Sequence, residues 1–124
     1  LVTILDKIKE RLDTVSGLTV LYDIKQSEKA KLPLAVINFE SNQQARKAGS
    51  KYQVSLSLTI ELVHNTLFDL LNLIESVETA LQISEKLEGT KEWDYQGWTK
   101  IDPSNGSSVY GAQLSLAVNY IKTA

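Results

Sequence analysis

His64 is the residue best suited to chemistry near neutral pH, because an imidazole can act as a general base or bind a metal ion. It is the single histidine among 124 residues, and the chain has no cysteine. The sequence therefore contains no HxxxH or HExxH metal motif, no thiol nucleophile and no disulfide. His64 lies between a strand-like segment and a helix-like segment, so we interpret it as a junction histidine. A role as a base or a metal ligand is the alternative.

Serine, aspartate and glutamate are plentiful, but no characteristic spacing organises them. The chain has no GxSxG elbow and no P-loop, and its isolated glycines do not suggest a phosphate cradle. A Ser–His–Asp arrangement stays open, because its members meet only in space. The residues alone therefore identify no catalytic residue, no cofactor site and no metal site.

Aromatic residues cluster at Trp93, Tyr95 and Trp98. Strict alternation along a strand predicts that Trp93 and Tyr95 share a buried face, whereas Trp98 lies on the opposite face beside Lys100. An exposed tryptophan is a candidate interface anchor. No basic track accompanies it, so we do not expect base stacking with nucleic acid.

A second candidate interface is the polar segment 41–51, which contains no large apolar residue. Its composition predicts either a solvated hairpin loop or an arm that orders on a partner. The residues that we expect to contact a partner or another copy are Gln43, Gln44, Arg46, Lys47 and Lys51 here, together with Trp98 and Lys100.

A third candidate is the broad apolar stripe of the helix predicted after Thr66, whose surplus could cover the first helix or meet another subunit. Its main residues are Leu67, Leu70, Leu71, Ile74, Val77, Leu81 and Leu87, and it is widened by Phe68, Leu73 and Ile83.

Composition limits the class of protein. Hydrophobic residues make up 43% and charged residues 23% of the chain, which is typical of one globular domain, here residues 1–124. The net charge of −2 does not imply general affinity for nucleic acid or anionic membranes. No apolar run approaches the roughly 18 residues of a membrane span, and we expect no signal peptide.

The element that organises the predicted fold is Tyr52–Val63, where every even position is apolar and every odd position is polar, apart from Val63. This alternation predicts a long central strand with one buried and one solvated face. Three-and-four spacing and alternation elsewhere predict the following helices and strands: helix Leu1–Val15, strands Leu18–Tyr22 and Leu34–Phe39, a helix from Asn65 or Thr66 to about Leu87, and strands Glu92–Ile101 and Val109–Ile121.

Asn105-Gly106 is a strong hairpin signal, so the last two strands should pair antiparallel. We predict an α+β domain with a mainly antiparallel sheet of about four to five strands and two helices packed on one face. The other face should meet water or a neighbouring sheet. It carries Ser55, Ser57, Thr59, Glu61, Gln113, Ser115 and Asn119.

This order of elements resembles phage tail terminator or tail-completion proteins. The resemblance is one of pattern and size, covers nearly the whole chain and includes no diagnostic motif. It is carried by Leu1–Val15, Leu32-Pro33-Leu34-Ala35-Val36, Tyr52–Leu62, Leu67–Leu87 and Val109–Ile121.

The resemblance implies a non-enzymatic, structural role in the virion tail, with assembly in the host cytoplasm. Such proteins form rings, commonly hexamers, that end polymerisation at the head-proximal end of the tail tube. The implied partners are other copies of the chain, the tail tube protein and the head–tail connector. The resemblance implies no membrane partner and no sequence-specific binding of nucleic acid. DNA would pass through the lumen of the ring, and a mildly negative chain would not bind its phosphates tightly.

Other classes of protein fit the same pattern. One is a different tail component of a phage or contractile injection system. Another is a small adaptor that binds a partner through its sheet edge. A third is a small α+β enzyme, which would require a pocket of converging polar groups around His64.

Overall fold

A computed structural model describes residues 2–22, 32–48, 51–81, 92–101 and 109–123. These residues form an α+β domain, in which a mostly antiparallel five-stranded sheet is accompanied by two helices, as the sequence predicted. The elements are α1 (Val2–Leu12), β1 (Thr19–Leu21), β2 (Leu34–Ala48), β3 (Lys51–His64), α2 (Leu67–Leu81), β4 (Glu92–Ile101) and β5 (Tyr110–Thr123).

The sheet has the strand order β1-β2-β3-β5-β4. The short β1 pairs parallel with β2, and the three other pairs are antiparallel. β3 occupies the centre, as its length and alternation predicted. The antiparallel pairing of β4 with β5 is also confirmed. The turn predicted between them lies at 102–108, outside the described residues.

The main core lies between the sheet and the helices. β3 contributes every even residue from Val54 to Leu62, and β5 contributes the even residues from Ala112 to Tyr120. Cross-strand pairs such as Leu58 with Leu116 place these side chains on one face of the sheet. The alternation in the sequence therefore encodes which face is buried.

Both helices cover this face, which we call the helix face. α1 buries Ile4, Ile8 and Leu12 on a stripe of three-and-four spacing. The Arg11 guanidinium of α1 donates a hydrogen bond to the backbone carbonyl of Leu81, so the end of α1 is fastened to α2. α1 ends at Leu12, three residues before the predicted end at Val15. Residues 13–17 form turns instead, and Gly17 at their end has a positive φ of 75°.

α2 begins with a side-chain cap, because Thr66 Oγ1 accepts a hydrogen bond from the Asp69 backbone N–H at 3.1 Å. Its buried residues are Leu70, Leu73, Ile74, Val77 and Leu81, all of which belong to the predicted stripe. Leu67 and Leu71, which were also predicted there, are exposed. The predicted continuation toward Leu87 lies outside the described residues, as does the predicted loop at 23–31.

The prediction that the second strand ends at Phe39 and is followed by a loop or arm at 41–51 is wrong for the described part of that segment. β2 continues to Ala48 and pairs with β3 as far as Ala48 opposite Lys51. The reason is that β3 and β5 also run to this end, where Lys51 pairs with Thr123. Backbone hydrogen bonds to a neighbouring strand can hold polar residues in a strand conformation despite their low strand propensity.

The opposite face of the sheet, which we call the open face, has a small core of its own. Leu34, Val36 and Val63 are buried there, with Leu21, Leu32 and Val109 packed against them. Ala35 and Ile37 belong to the main core instead. The apolar run of β2 is therefore buried on both faces, as its composition predicted.

Candidate interaction surfaces

Trp98 lies on the helix face, so the prediction that it faces away from Trp93 and Tyr95 is wrong. The register changes within β4: Tyr95 pairs with Leu116, but Trp98 pairs with Leu114. Gln96 and Gly97 thus oppose the single residue Ser115, which defines a β-bulge. Gly97 has a φ of 92°, a conformation that residues with a Cβ rarely adopt. The bulge returns Trp98 and Lys100 to the face that Tyr95 occupies.

Replacement of Gly97 by alanine should lower the free energy of unfolding by about 1–2 kcal/mol, the cost of a left-handed backbone for a residue with a Cβ. A Cβ at this position would meet no atom within 4 Å, so backbone strain is the whole expected effect. Urea unfolding of Gly97→Ala measures it, with Gln96→Ala as the matched control. Equal stability of the two variants would contradict the assigned bulge conformation.

Beyond the bulge, the end of β4 presents an exposed aromatic residue and a cation. Trp98 is 43% exposed, as the sequence predicted, and Lys100 lies two residues further along the same strand. The Lys100 ammonium lies 5.7 Å from the centre of the Tyr110 ring, within the range of a cation–π contact. Tyr110 is exposed and pairs with His64 at the start of β5.

The first turns of α2 expose more apolar surface at the same end of the sheet. Phe68 is 79% exposed, and Leu67 and Leu71 are also exposed. Only two residues separate β3 from α2, so the helix begins beside His64 and hence beside its partner Tyr110.

A hydrogen bond shows which side of α2 faces β4. The Tyr95 hydroxyl donates to the Glu78 carboxylate at 2.6 Å. The pKa of Tyr95 is raised mainly by burial and to a smaller extent by the neighbouring Glu78. This hydroxyl therefore keeps its proton. Leu71 precedes Glu78 by seven residues, which puts it on the same helix side about 10.5 Å toward the N-terminus. Trp98 lies two β5 positions from Tyr95, about 7 Å in the same direction, so Leu71 and Trp98 both lie toward the end of the sheet where α2 begins.

We call this surface the α2–β4 patch; it consists of Leu67, Phe68, Leu71, Trp98 and Tyr110. It holds five of the six exposed large apolar side chains of the described residues, the sixth being Tyr22. Single exposed apolar residues need no explanation, whereas several at the same end of a domain form a candidate interaction surface. Tryptophan and tyrosine are also the residue types that most often anchor protein interfaces.

The open face is polar in the way that the sequence predicted. Register places Ser55 opposite Asn119, and Glu61 opposite Gln113. The Ser55 hydroxyl donates to the Asn119 side-chain carbonyl at 2.7 Å. Glu61 departs from the expectation of a solvated face, because it is only 8% exposed beside the small core that contains Val36.

Burial raises the pKa of Glu61 above its ordinary value, since a desolvated carboxylate disfavours its charged form. Between the ordinary pKa and the raised one, the folded chain binds more protons than the unfolded chain. The contribution of Glu61 to stability therefore falls as pH rises through that window and stays reduced above it.

Glu61→Gln should accordingly be more stable than the wild-type chain at pH 7. The advantage should shrink as the pH falls through and below the ordinary glutamate pKa of about 4.3, since well below it the wild-type side chain is neutral in both states. Thermal unfolding between pH 3 and pH 8 measures the difference. The exposed Glu75→Gln is the charge-matched control, and a wild-type chain more stable than Glu61→Gln at pH 7 would contradict the assigned burial.

The predicted interface residues of the polar segment lie in the hairpin that β2 and β3 form. Gln43, Gln44, Arg46 and Lys47 belong to β2, and Lys51 begins β3. Register pairs Arg46 with Gln53 and Lys47 with Tyr52, close to the end of the hairpin. These positions are at the opposite end of β3 from His64, so they do not adjoin the α2–β4 patch.

His64 is half-buried, and its Nδ1 accepts a hydrogen bond from the Asn65 backbone N–H at 2.8 Å.

A groove of about 680 Å³ lies between the end of α1 and α2, and it is lined by residues that include Ser16 and Glu75. His64 is not among the residues that line it. Within the described ranges, no group of three histidine, aspartate or glutamate residues is arranged to hold a metal ion.

Comparison with known proteins adds no family: no protein-family model matches the chain, and neither does any curated protein. In the parts of the chain that the structure describes, neither helix is both long and apolar enough to cross a membrane.

Sequence reasoning identified Trp98 and Lys100 and, separately, the surplus apolar stripe of the second helix as candidate contacts, but it did not join them or include Tyr110. Gly97 was the available signal for the first, since an isolated glycine in an alternating segment suggests a bulge. The breadth of the helical stripe was the signal for the second, but it did not reveal that Leu67 and Leu71 would be the exposed leucines.

Proposed function

We propose that this chain is a structural protein of a phage tail, which caps the head-proximal end of the tail tube and offers a joining surface to the head connector. The observation that carries the proposal is the α2–β4 patch, whose exposed apolar residues suit a protein that works by contact with other proteins. The order of helices and strands supports the choice of a tail terminator within that class.

The patch has the composition of an interface centre. Trp98 and Tyr110 offer large rings of low conformational freedom, and Phe68 and Leu71 widen the apolar area around them. Lys100 supplies a cation beside Tyr110 at the rim of the patch. A partner that covers these rings would bury apolar area at roughly 25 cal/mol per Å² before the costs of association are subtracted.

A terminator has to bind a tube end and a connector at the same time, so it needs separate contact surfaces. The α2–β4 patch and the end of the β2–β3 hairpin lie at opposite ends of the long β3. This separation is compatible with one surface for the tube or connector and another for neighbouring copies in a ring. Rings require two different surfaces on each subunit, because their contacts are heterologous.

The test is polymerisation of purified tail tube protein from the same source, with and without this chain. Capping should shorten the tubes as the ratio of chain to tube protein rises, and a gold-labelled chain should appear at one end only. Tubes of unchanged length with no end label would overturn the proposal. Label along the whole tube would instead indicate a tube or sheath component.

A further inference from the structure

The last part of β4, residues 98–101, lies at an open edge of the sheet. β4 is an outer strand, since β5 is its only neighbour among the described strands. Trp98, Thr99 and Lys100 are all exposed, although consecutive residues of a strand point to opposite faces. Before the bulge, by contrast, exposed and partly buried residues alternate. Neither face of the sheet is therefore fully covered at this end of β4.

An outer strand has backbone groups that its own sheet does not use. Alternate residues of β4 turn their N–H and C=O groups toward β5, and the residues between them turn these groups outward. The bulge at Gln96–Gly97 interrupts the regular edge, so a neighbour could pair with only a short stretch beyond it. An extended segment of another chain can satisfy such outward groups by joining the sheet as an added strand.

The side chains at this edge indicate which segment would fit. Trp98 and Lys100 share the helix face, so an added strand would place one side chain beside each of them, two residues apart. The exposed ring of Trp98 complements an apolar side chain. Lys100 makes no salt bridge with a described residue, and its cross-strand partner Ala112 is uncharged. A carboxylate would therefore complement Lys100.

We propose that residues 98–101 pair with an extended segment of a partner protein, in which an apolar and an acidic side chain lie two residues apart on one face. The apolar side chain packs on Trp98 and continues the α2–β4 patch, while the carboxylate pairs with Lys100. A second copy of this edge brings another lysine and no acidic residue, so the occupant is a different protein. This inference rests on the proposed function, because it names how the α2–β4 patch receives its partner.

The probe is a capped synthetic peptide, Thr-Leu-Thr-Glu-Thr-Leu-Thr, which presents leucine and glutamate on one face in either strand direction. Trp98 fluorescence reports its binding in the variant Trp93→Phe, which retains no other tryptophan. This replacement removes a buried indole N–H that makes no hydrogen bond, so the fold should tolerate it. The emission should move to shorter wavelength as the peptide covers the ring. Calorimetric titration of the wild-type chain should give the same affinity.

Two N-methylated peptides distinguish strand addition from a contact of side chains alone. An N-methyl group removes a backbone donor, and successive N–H groups of a strand point to opposite edges. Methylation of the threonines therefore blocks one edge of the peptide, and methylation of the leucines and the glutamate blocks the other. One of these peptides should bind like the parent, and the other should bind at least about tenfold more weakly.

Charge reversal at the edge gives a second, independent result. Lys100→Glu should bind the glutamate peptide about tenfold more weakly, and it should instead prefer the same peptide with lysine in place of glutamate. Lys7→Glu on α1 is the charge-matched control and should keep the wild-type preference. A reversed preference shows that the variant is folded and still binds, so it separates a direct contact from a fold defect.

Four outcomes would overturn the inference: no binding at millimolar peptide, equal affinities for the two N-methylated peptides, an unchanged charge preference in Lys100→Glu, or self-association of the chain that the peptide disrupts. The last outcome would make a second copy the occupant. Capping of tubes by a chain that does not bind the peptide contradicts this contact but leaves the proposed function standing. Peptide binding without capping of tubes would do the reverse.

Discussion

Replacement of Leu58 by alanine is expected to lower the free energy of unfolding by about 2–5 kcal/mol. Leu58 is 1% exposed and lies at the middle of the central strand, where it pairs with Leu116. Truncation removes buried apolar surface and leaves a cavity that the surrounding strands and helices cannot fill completely. Domains are typically stable by about 5–15 kcal/mol, so a large part of the folding free energy would be lost.

Urea unfolding measures this loss, and the neighbouring Ser57→Ala is its matched control. Ser57 is exposed on the open face, so its replacement should change stability by no more than about 0.5 kcal/mol. Because adjacent strand residues point to opposite faces, the pair tests which face of β3 is buried. Similar losses for both variants would contradict the described arrangement of the sheet.

Replacement of Trp98 by alanine should weaken binding to the proposed tail tube partner by about 2 kcal/mol or more, roughly a thirtyfold rise in Kd. Trp98 lies toward the end of the sheet where α2 begins, and Leu71 and Tyr110 are also exposed at that end. A central aromatic residue of an apolar interface usually carries a large share of the binding free energy. Stability should change far less than for Leu58→Ala, because 43% of the Trp98 side chain already contacts solvent.

Calorimetric titration of the tube protein measures this effect, with Tyr22→Ala as the control. Tyr22 has a similar exposed fraction, 41%, but lies outside the α2–β4 patch at the end of β1. Phe68→Ala should also weaken binding while leaving the fold intact, because Phe68 is the most exposed residue of the patch. Equal affinities for Trp98→Ala and Tyr22→Ala would remove the patch from the proposed interface.

The sequence predicted the fold class because the strongest local pattern belongs to the central strand. The alternation over Tyr52–Val63 is long enough to assign both faces of β3, and the same alternation recurs in β5. The end of β2 could not be predicted in this way. Ser41 to Ala48 has a polar composition that favours a loop, and its strand conformation depends on pairing with β3.

The candidate surfaces depend on features that local patterns describe poorly. One extra residue in the bulge at Gln96–Gly97 moves Trp98 to the other face of the sheet. The burial of Glu61 beside Val36, its partner on β2, follows from the pairing of residues that are distant in sequence. Residue types therefore identified candidate anchors, but their grouping into surfaces required the strand register.

The most direct measurement of the proposed function is native mass across a concentration series, with and without purified tail tube protein from the same source. We expect a closed ring, formed either by the chain alone or only when tube ends are present. A strictly monomeric chain with no affinity for the tube would contradict the assignment to tail completion. In that case, the α2–β4 patch would have to serve a partner of another class.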